Sequence, residues 1–340
     1  MRDQSNEPFA NVTDNPDQRN PIALPDLPPV EPPSAGFVIQ LFVIPAVVVV
    51  VVIIVWLLFG KLAGGERDAM EYVRQLRSPT ANWRLAFELA SLIQHDPKIS
   101  SDPVLLGELA DLLSHELDRN NEDLRLTQYV ALTLGAFRTL EAKTQSGQAI
   151  DPLVPLARAL APKYPTPIRL AAAASLAKQA ARLDGTLEDE GAIKALGETA
   201  TVGEPEVRQM AVYALGFFGG PSATQILRQR VAGDEDRFVR YNAAVALARR
   251  GDPAGAATLR EMLSTVDLNK VIDLPGTTEK QNKIEAIELE AIEALRNSVS
   301  KGKTELALSL RQQITDLTKS GLVSVRSQSS DLLQFLQSNR

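Results

Sequence analysis

The order of apolar and polar positions divides the chain near residue 60. From Phe37 to Phe59 the sequence FVIQLFVIPAVVVVVVIIVWLLF runs 23 residues without a charge, and Gln40 is its one strongly polar side chain. A helix of this length reaches roughly 35 Å, enough to cross a hydrocarbon core of about 30 Å with some tilt. The β-branched run Val47–Val52 is poor helix material in water. In lipid, however, a helix is what satisfies the backbone within the segment. The pattern predicts one uncleaved transmembrane helix over 37–59, kinked at Pro45. A signal peptide fits badly, because the preceding region is long and acidic where a signal peptide starts short and basic. Beyond residue 60 the apolar residues recur at three- and four-residue intervals with almost no strand alternation, so 60–340 is predicted all-α.

A nine-residue pattern repeats through this region: an apolar residue, then Arg, a small residue fifth, and a small residue then Leu in the eighth and ninth places. The clearest copies are VRQMAVYAL at 207–215 and VRYNAAVAL at 239–247. Others start at Trp83, Leu124, Ile168, Ile287 and Val325, giving spacings of 41, 44, 39, 32, 48 and 38 residues. Places one, five, eight and nine share one helical face, and small residues there admit a close neighbour. Turns such as Gly203-Glu204-Pro205-Glu206 and Gly233-Asp234-Glu235-Asp236 precede the clear copies. Asp102-Pro103, Asp151-Pro152, Thr166-Pro167 and Asp252-Pro253 each set a capping side chain before a proline, a helix-start signal. The unit is an antiparallel helix pair of about 40 residues that buries its apolar face only by stacking on its neighbours.

VRQMAVYALGFFG and VRYNAAVALARRGD resemble HEAT repeats, a helical-repeat class akin to armadillo repeats, and are close to the short type seen in bacterial proteins and in bilin lyases. The resemblance is strong over about 160–265, with irregular copies extending it to 66–338. It implies an α-solenoid of about seven irregular HEAT-like pairs whose surface recruits other macromolecules. It does not imply lyase chemistry, because the repeat marks a scaffold and not a catalytic site.

Composition adds an address. Residues 1–36 hold eight of the 21 prolines and six acidic side chains against two arginines, which predicts a disordered, Pro-rich acidic tail. Lys61, Arg67, Arg74 and Arg77 follow the span within 20 residues, against Arg19 alone in the 20 before it. The positive-inside rule then puts the solenoid in the cytoplasm and the tail outside. The remaining 304 residues are nearly neutral, 34 basic against 36 acidic, which argues against a nucleic-acid surface. The absence of cysteine excludes disulfides, thiolate metal sites and cysteine nucleophiles.

The second-place arginines, Arg84, Arg125, Arg169, Arg208, Arg240 and Arg326, recur about once per repeat and form a ladder. The favoured reading is structural: each pairs with an acid in the adjoining turn or the next repeat, among Asp123, Glu206, Asp236 and their neighbours. On that reading Arg208→Ala costs about 0.5–2 kcal/mol through hydrogen bonds to the turn. The other reading is a basic stripe for an acidic partner. The longest departure from the repeat, VDLNKVIDLPGTTEK at 266–280, is expected to be a long loop. Its Asp267, Asn269, Lys270, Asp273 and Pro275 are candidate partner contacts.

Little catalytic chemistry is legible. His115-Glu116 lacks the second histidine of a zinc-protease helix, with Arg119 in its place. Gly302-Lys303-Thr304 lacks the leading glycine and preceding strand of a phosphate-binding loop. Gly216, Gly219 and Gly220 follow a helix as a stop signal. No cofactor, metal, small-molecule substrate or nucleic acid is expected. The reading is a membrane-anchored scaffold or adaptor, in contact with the bilayer through Phe37–Phe59 and with a protein partner through the solenoid, Gly64-Gly65 being a candidate hinge. The alternatives are an accessory subunit of a membrane transport or secretion complex, and a lyase-like enzyme on the same repeats.

Overall fold

The computed structural model describes residues 49–55, 68–119 and 124–338. The chain forms two compact units, residues 1–66 and 67–340. In the first, 49–55 is helical with every residue exposed. No helix among the described residues is long and apolar enough to cross a membrane. The tail 1–36, the remainder of the span at 37–48 and 56–59, Gly64-Gly65 and Asp123 lie outside the described residues.

The second unit is two rows of helices. The first row is α1 (Ala69–Leu76), α3 (Pro103–Asp118), α5 (Leu153–Ala159), α7 (Glu190–Thr199) and α9 (Gly220–Gly233). It continues through a 3₁₀ turn at Pro253–Gly255, α11 (Ala256–Met262) and α12 (Thr265–Val271), and ends with α14 (Glu305–Ser309) and α15 (Arg311–Leu317). The second row is α2 (Trp83–His95), α4 (Leu124–Leu134), α6 (Thr166–Arg182), α8 (Pro205–Leu215), α10 (Arg237–Arg249), α13 (Thr277–Ser300) and α16 (Val323–Ser338). Each second-row helix packs on the one before and the one after it, and on its own first-row partner. All seven copies of the nine-residue pattern fall in the second row, one per helix.

Helix starts follow their caps. Asp68, Asn82, Asp102, Asp189, Asp236 and Ser264 each accept a backbone N–H from the first turn of the helix they precede. Asp151 accepts from Leu153 N and Asp252 from Ala254 N, as their Asp-Pro pairs predict. Thr166 does not cap. It is the first helical residue, and the carbonyl of Pro165 takes the N–H groups of Ile168 and Arg169.

The small residues do what their periodicity implies. Ala211, Ala214, Ala243 and Ala246 are fully or nearly fully buried, and a Cβ on Gly216 would lie 3.0 Å from that of Ala246. The approach is close enough for buried hydroxyl and amide groups to reach the neighbouring helix's carbonyls. Thr133 Oγ1 donates to Ala86 O at 3.1 Å, Ser175 Oγ to Ala131 O at 2.7 Å, and Asn242 Nδ2 to Gln209 O at 3.0 Å. These bonds satisfy polar groups that would otherwise oppose burial.

The uneven spacing also has a cause. The 44-residue interval contains a two-residue hairpin, β1 (Ala142–Lys143) against β2 (Ala149–Ile150), laid on α3. The 48-residue interval contains α11, α12 and ten helical residues of α13 ahead of its motif. The 32-residue interval is a helix pair with minimal turns.

The expectation of a long loop at 266–280 is corrected. Residues 265–271 form α12 and α13 begins at Thr277, leaving 272–276 as the link. Burial of Leu268 and Ile272 and the Ser264 cap hold this short helix in place where propensity alone would not.

Candidate functional site

The arginine ladder divides. Arg169 is 3% exposed; it donates to Leu160 O and Val202 O and pairs with Glu204 at 3.0 Å. Arg208, 7% exposed, donates to Gly203 O at 2.8 Å and pairs with Asp234 at 3.1 Å and Glu235 at 3.3 Å. Arg240 donates to the carbonyls of Asp234 and Glu235, and Arg326 to that of Ser320. These four fasten the turn at the amino end of their own or the following second-row helix. Glu206 stays exposed, and Asp236 is spent on its helix cap and on Gln209. The acids that serve are therefore Glu204, Asp234 and Glu235. Arg84 and Arg125 lie exposed, Arg84 with its guanidinium 5.6 Å from the ring centroid of Trp83.

The sixth copy carries Glu288 where most others carry Arg. It is fully buried; Oε1 accepts from Thr265 Oγ1 at 2.5 Å and Oε2 has no partner. Burial, with Glu285 nearby, pushes its carboxyl above the usual range, against the Thr265 bond.

A second ladder, missed in the sequence, runs along the carboxyl ends of the second row. Arg182 donates to Gly135 O beyond α4, Arg250 to Leu215 O at the last residue of α8 and to Phe218 O beyond it, and Lys303 to Arg250 O beyond α10. Each cation satisfies carbonyls that the preceding second-row helix leaves open. Burial lowers the pKa of both Arg182 and Arg250. A basic residue some ten to fifteen places after the second place of the motif was the available signal, but its position drifts from copy to copy.

Partly exposed aromatic rings with cations beside them stand along the second row and in the turn that follows α8. Trp83 and Tyr129 stand 5.0 Å apart, with Phe87 edge-on to Tyr129 at 6.2 Å and 56% exposed. Tyr213 meets Phe217 edge-on at 5.0 Å, and Arg249 lies 5.5 Å from the Phe217 centroid. Lys283 stands 4.6 Å from the ring of Phe238. Partly exposed aromatic rings with cations beside them are typical anchors of protein interfaces.

The predicted partner contacts at 267–275 separate. Asp267 pairs with Lys270 at 2.9 Å, a bond that with Ser264 holds its carboxyl below the ordinary range; Asn269 Nδ2 donates to Thr265 O. These three belong to the surface of α12. Asp273 and Pro275 are exposed in the link, and Asp273 lines a groove of about 880 Å³ with Phe238, Lys283 and Arg237. His95 and His115 each set Nδ1 against a carbonyl one turn back in their own helices, Ser91 and Asp111. Among the described residues no cluster of three His, Asp or Glu side chains could hold a metal ion.

Residues 151–248 and 193–271 match the HEAT repeats family, so this part of the chain carries HEAT-type repeats. No curated protein sequence matches the chain. Among solved structures, it is similar to an engineered protein at 18% identity, over 80% of this chain and 98% of that one, with a TM-score of 0.34. A designed armadillo repeat protein aligns at 17% identity over 79% and 100%, with a TM-score of 0.35. Human deoxyhypusine hydroxylase in complex with glycerol aligns at 15% identity over 70% and 99%, with a TM-score of 0.28. At such TM-scores these likenesses carry no argument.

Proposed function

We propose that the chain is a membrane-tethered scaffold that holds a protein partner on the exposed face of its second helix row. The observation that supports this most is the succession of aromatic–cation groups along that row and the turn after α8: Trp83, Phe87 and Tyr129 with Arg84, Tyr213 and Phe217 with Arg249, and Phe238 with Lys283. Extended repeat surfaces of this kind suit macromolecular partners, whereas small molecules are held in enclosed, mostly apolar pockets. The tether is the uncharged stretch 37–59, and the basic residues that follow it support a cytoplasmic stack.

Two measurements test this. The first is co-purification of the full chain from its own cells, comparing wild type with Phe87→Ala/Tyr213→Ala. The reading expects a defined partner lost in the variant while the helical signal by circular dichroism is kept; a partner retained in full contradicts it. The second uses the absence of native cysteine. With single cysteines at Ser5 and Ser327, a membrane-impermeant maleimide on intact cells is expected to label only the Ser5 variant. Labelling of Ser327 alone would place the stack on the outer side.

A further inference from the structure

The two sides of the charge balance separate at the carboxyl edge of the second row. An open groove of about 1000 Å³ runs from α9, past the ends of α8 and α10, to the end of α13. Five cations line it, Arg228, Arg249, Arg250, Lys301 and Lys303, against two carboxylates, Asp184 and Asp252. Both carboxylates are taken: Asp252 pairs with Arg228 at 2.7 Å and Asp184 with Lys301 at 3.5 Å. Arg249 lies over Phe217, Arg250 donates to two carbonyls and to Thr224 Oγ1, and Lys303 donates to a carbonyl. Among the described residues none of these three cations forms an ion pair with a carboxylate. Gly251 adopts φ +69, and its missing side chain leaves the space that Lys303 crosses to reach Arg250 O. The groove thus holds three unneutralised positive charges in a folded region that is otherwise nearly neutral.

From this we infer that the groove binds an extended acidic segment of a protein partner, its carboxylates engaging Arg249 and Lys303 and competing with the exposed Asp184 for Lys301, and its apolar groups meeting the exposed edge of Phe217. The inference rests on the scaffold reading and deepens it. A single anion would engage one end of a groove that spans three repeats, whereas an extended acidic strand meets cations along its length. The near-neutral balance of residues 37–340, 34 basic against 36 acidic, gives no broad basic surface for a phosphate backbone, which places nucleic acid second.

The test uses the full chain in neutral detergent and a fluorescein-labelled peptide of twelve glutamates, read by anisotropy at 50 and 200 mM salt. Wild type is expected to bind, with weaker binding at the higher salt. Arg249→Glu/Lys301→Glu is expected to bind at least tenfold more weakly. Lys98→Glu/Lys194→Glu, the same charge change at exposed sites outside the groove, stays within twofold of wild type. If charge reversal disturbs the helical signal, Arg249→Gln/Lys301→Gln replaces it, with a threefold or greater loss expected. Equal loss in the groove and distant variants, no binding at 50 mM salt, or an oligonucleotide of equal length displacing the peptide at lower concentration overturns the assignment. Peptide binding as expected together with failed co-purification would leave the groove chemistry standing and remove the scaffold reading. The reverse outcome would remove the groove.

Discussion

Arg208→Ala tests whether the ladder holds the stack together. The turn bonds alone suggest a cost of about 0.5–2 kcal/mol, but the surroundings of this side chain raise it. Arg208 and Asp234 have side chains only 8% and 3% exposed, so truncation removes one partner of a buried pair. Losses of that kind run to about 3–5 kcal/mol when the remaining charge is uncompensated. Asp234 keeps Arg230 at 3.6 Å and the N–H of Asp236 at 3.0 Å, which cuts the penalty. Gly203 O loses its donor, worth about 1 kcal/mol, while the contact with Glu235, 87% exposed, adds almost nothing. The net expectation is about 3 kcal/mol. Urea unfolding followed by circular dichroism reads the change. Hydrogen exchange reads its place, with protection lost first in α8 and α10, since each repeat contacts only its neighbours. A double-mutant cycle with Asp234→Asn should return a coupling of about 1.5 kcal/mol or more. A cost of 0.5 kcal/mol or less, with no coupling, would refute the structural role of the ladder.

Further outcomes follow from the same contacts. Arg84→Ala, at the equivalent place but exposed, should change stability by no more than about 0.5 kcal/mol in the same urea assay. Glu288→Gln should stabilise the fold near neutral pH by about 1–3 kcal/mol, because it keeps an oxygen for Thr265 and removes a buried charge. The sign follows from the raised pKa. The stability Glu288 permits is complete below the unfolded carboxyl value of about 4.3 and is lost as pH rises through the folded value. The gap between variant and wild type should therefore open as pH climbs from about 4; a constant gap contradicts it. Gly107→Ala would set a Cβ 2.1 Å from Lys143 O, and should cost about 2 kcal/mol or more in thermal melts. Gly191→Ala in α7, whose nearest neighbour would be Asp189 Oδ1 at 3.4 Å, should instead gain up to about 1 kcal/mol.

The second row was legible because its signal is local. A small residue every few places and a buried Leu are demands that one helix makes of its own sequence, so seven copies marked seven helices. The turns before α8 and α10 were legible for the same reason, since proline and capping aspartates act within four residues. What escaped depends on distant partners. Helix α12 exists because Leu268 and Ile272 find the core, and the hairpin at 142–150 is too short to show alternation. The carboxyl-edge ladder bonds to carbonyls rather than to acids, and a carbonyl leaves no mark in a sequence. The acids that meet Arg169 and Arg208 are Glu204 and Asp234, neighbours of Glu206 and Asp236 in the next repeat's turn; which acid of each turn serves depends on how the side chains cross between repeats, and sequence does not show that.

The most direct measurement is site-specific photo-crosslinking in the chain's own cells, with benzoylphenylalanine at Phe87, at Tyr213, and at Val154 of α5. Phe87 and Tyr213 are exposed on the second row, and Val154 is 58% exposed on the first. The account predicts that the two second-row positions crosslink to one and the same protein and that Val154 does not. Adducts of equal yield at all three positions, or at Val154 alone, would contradict it.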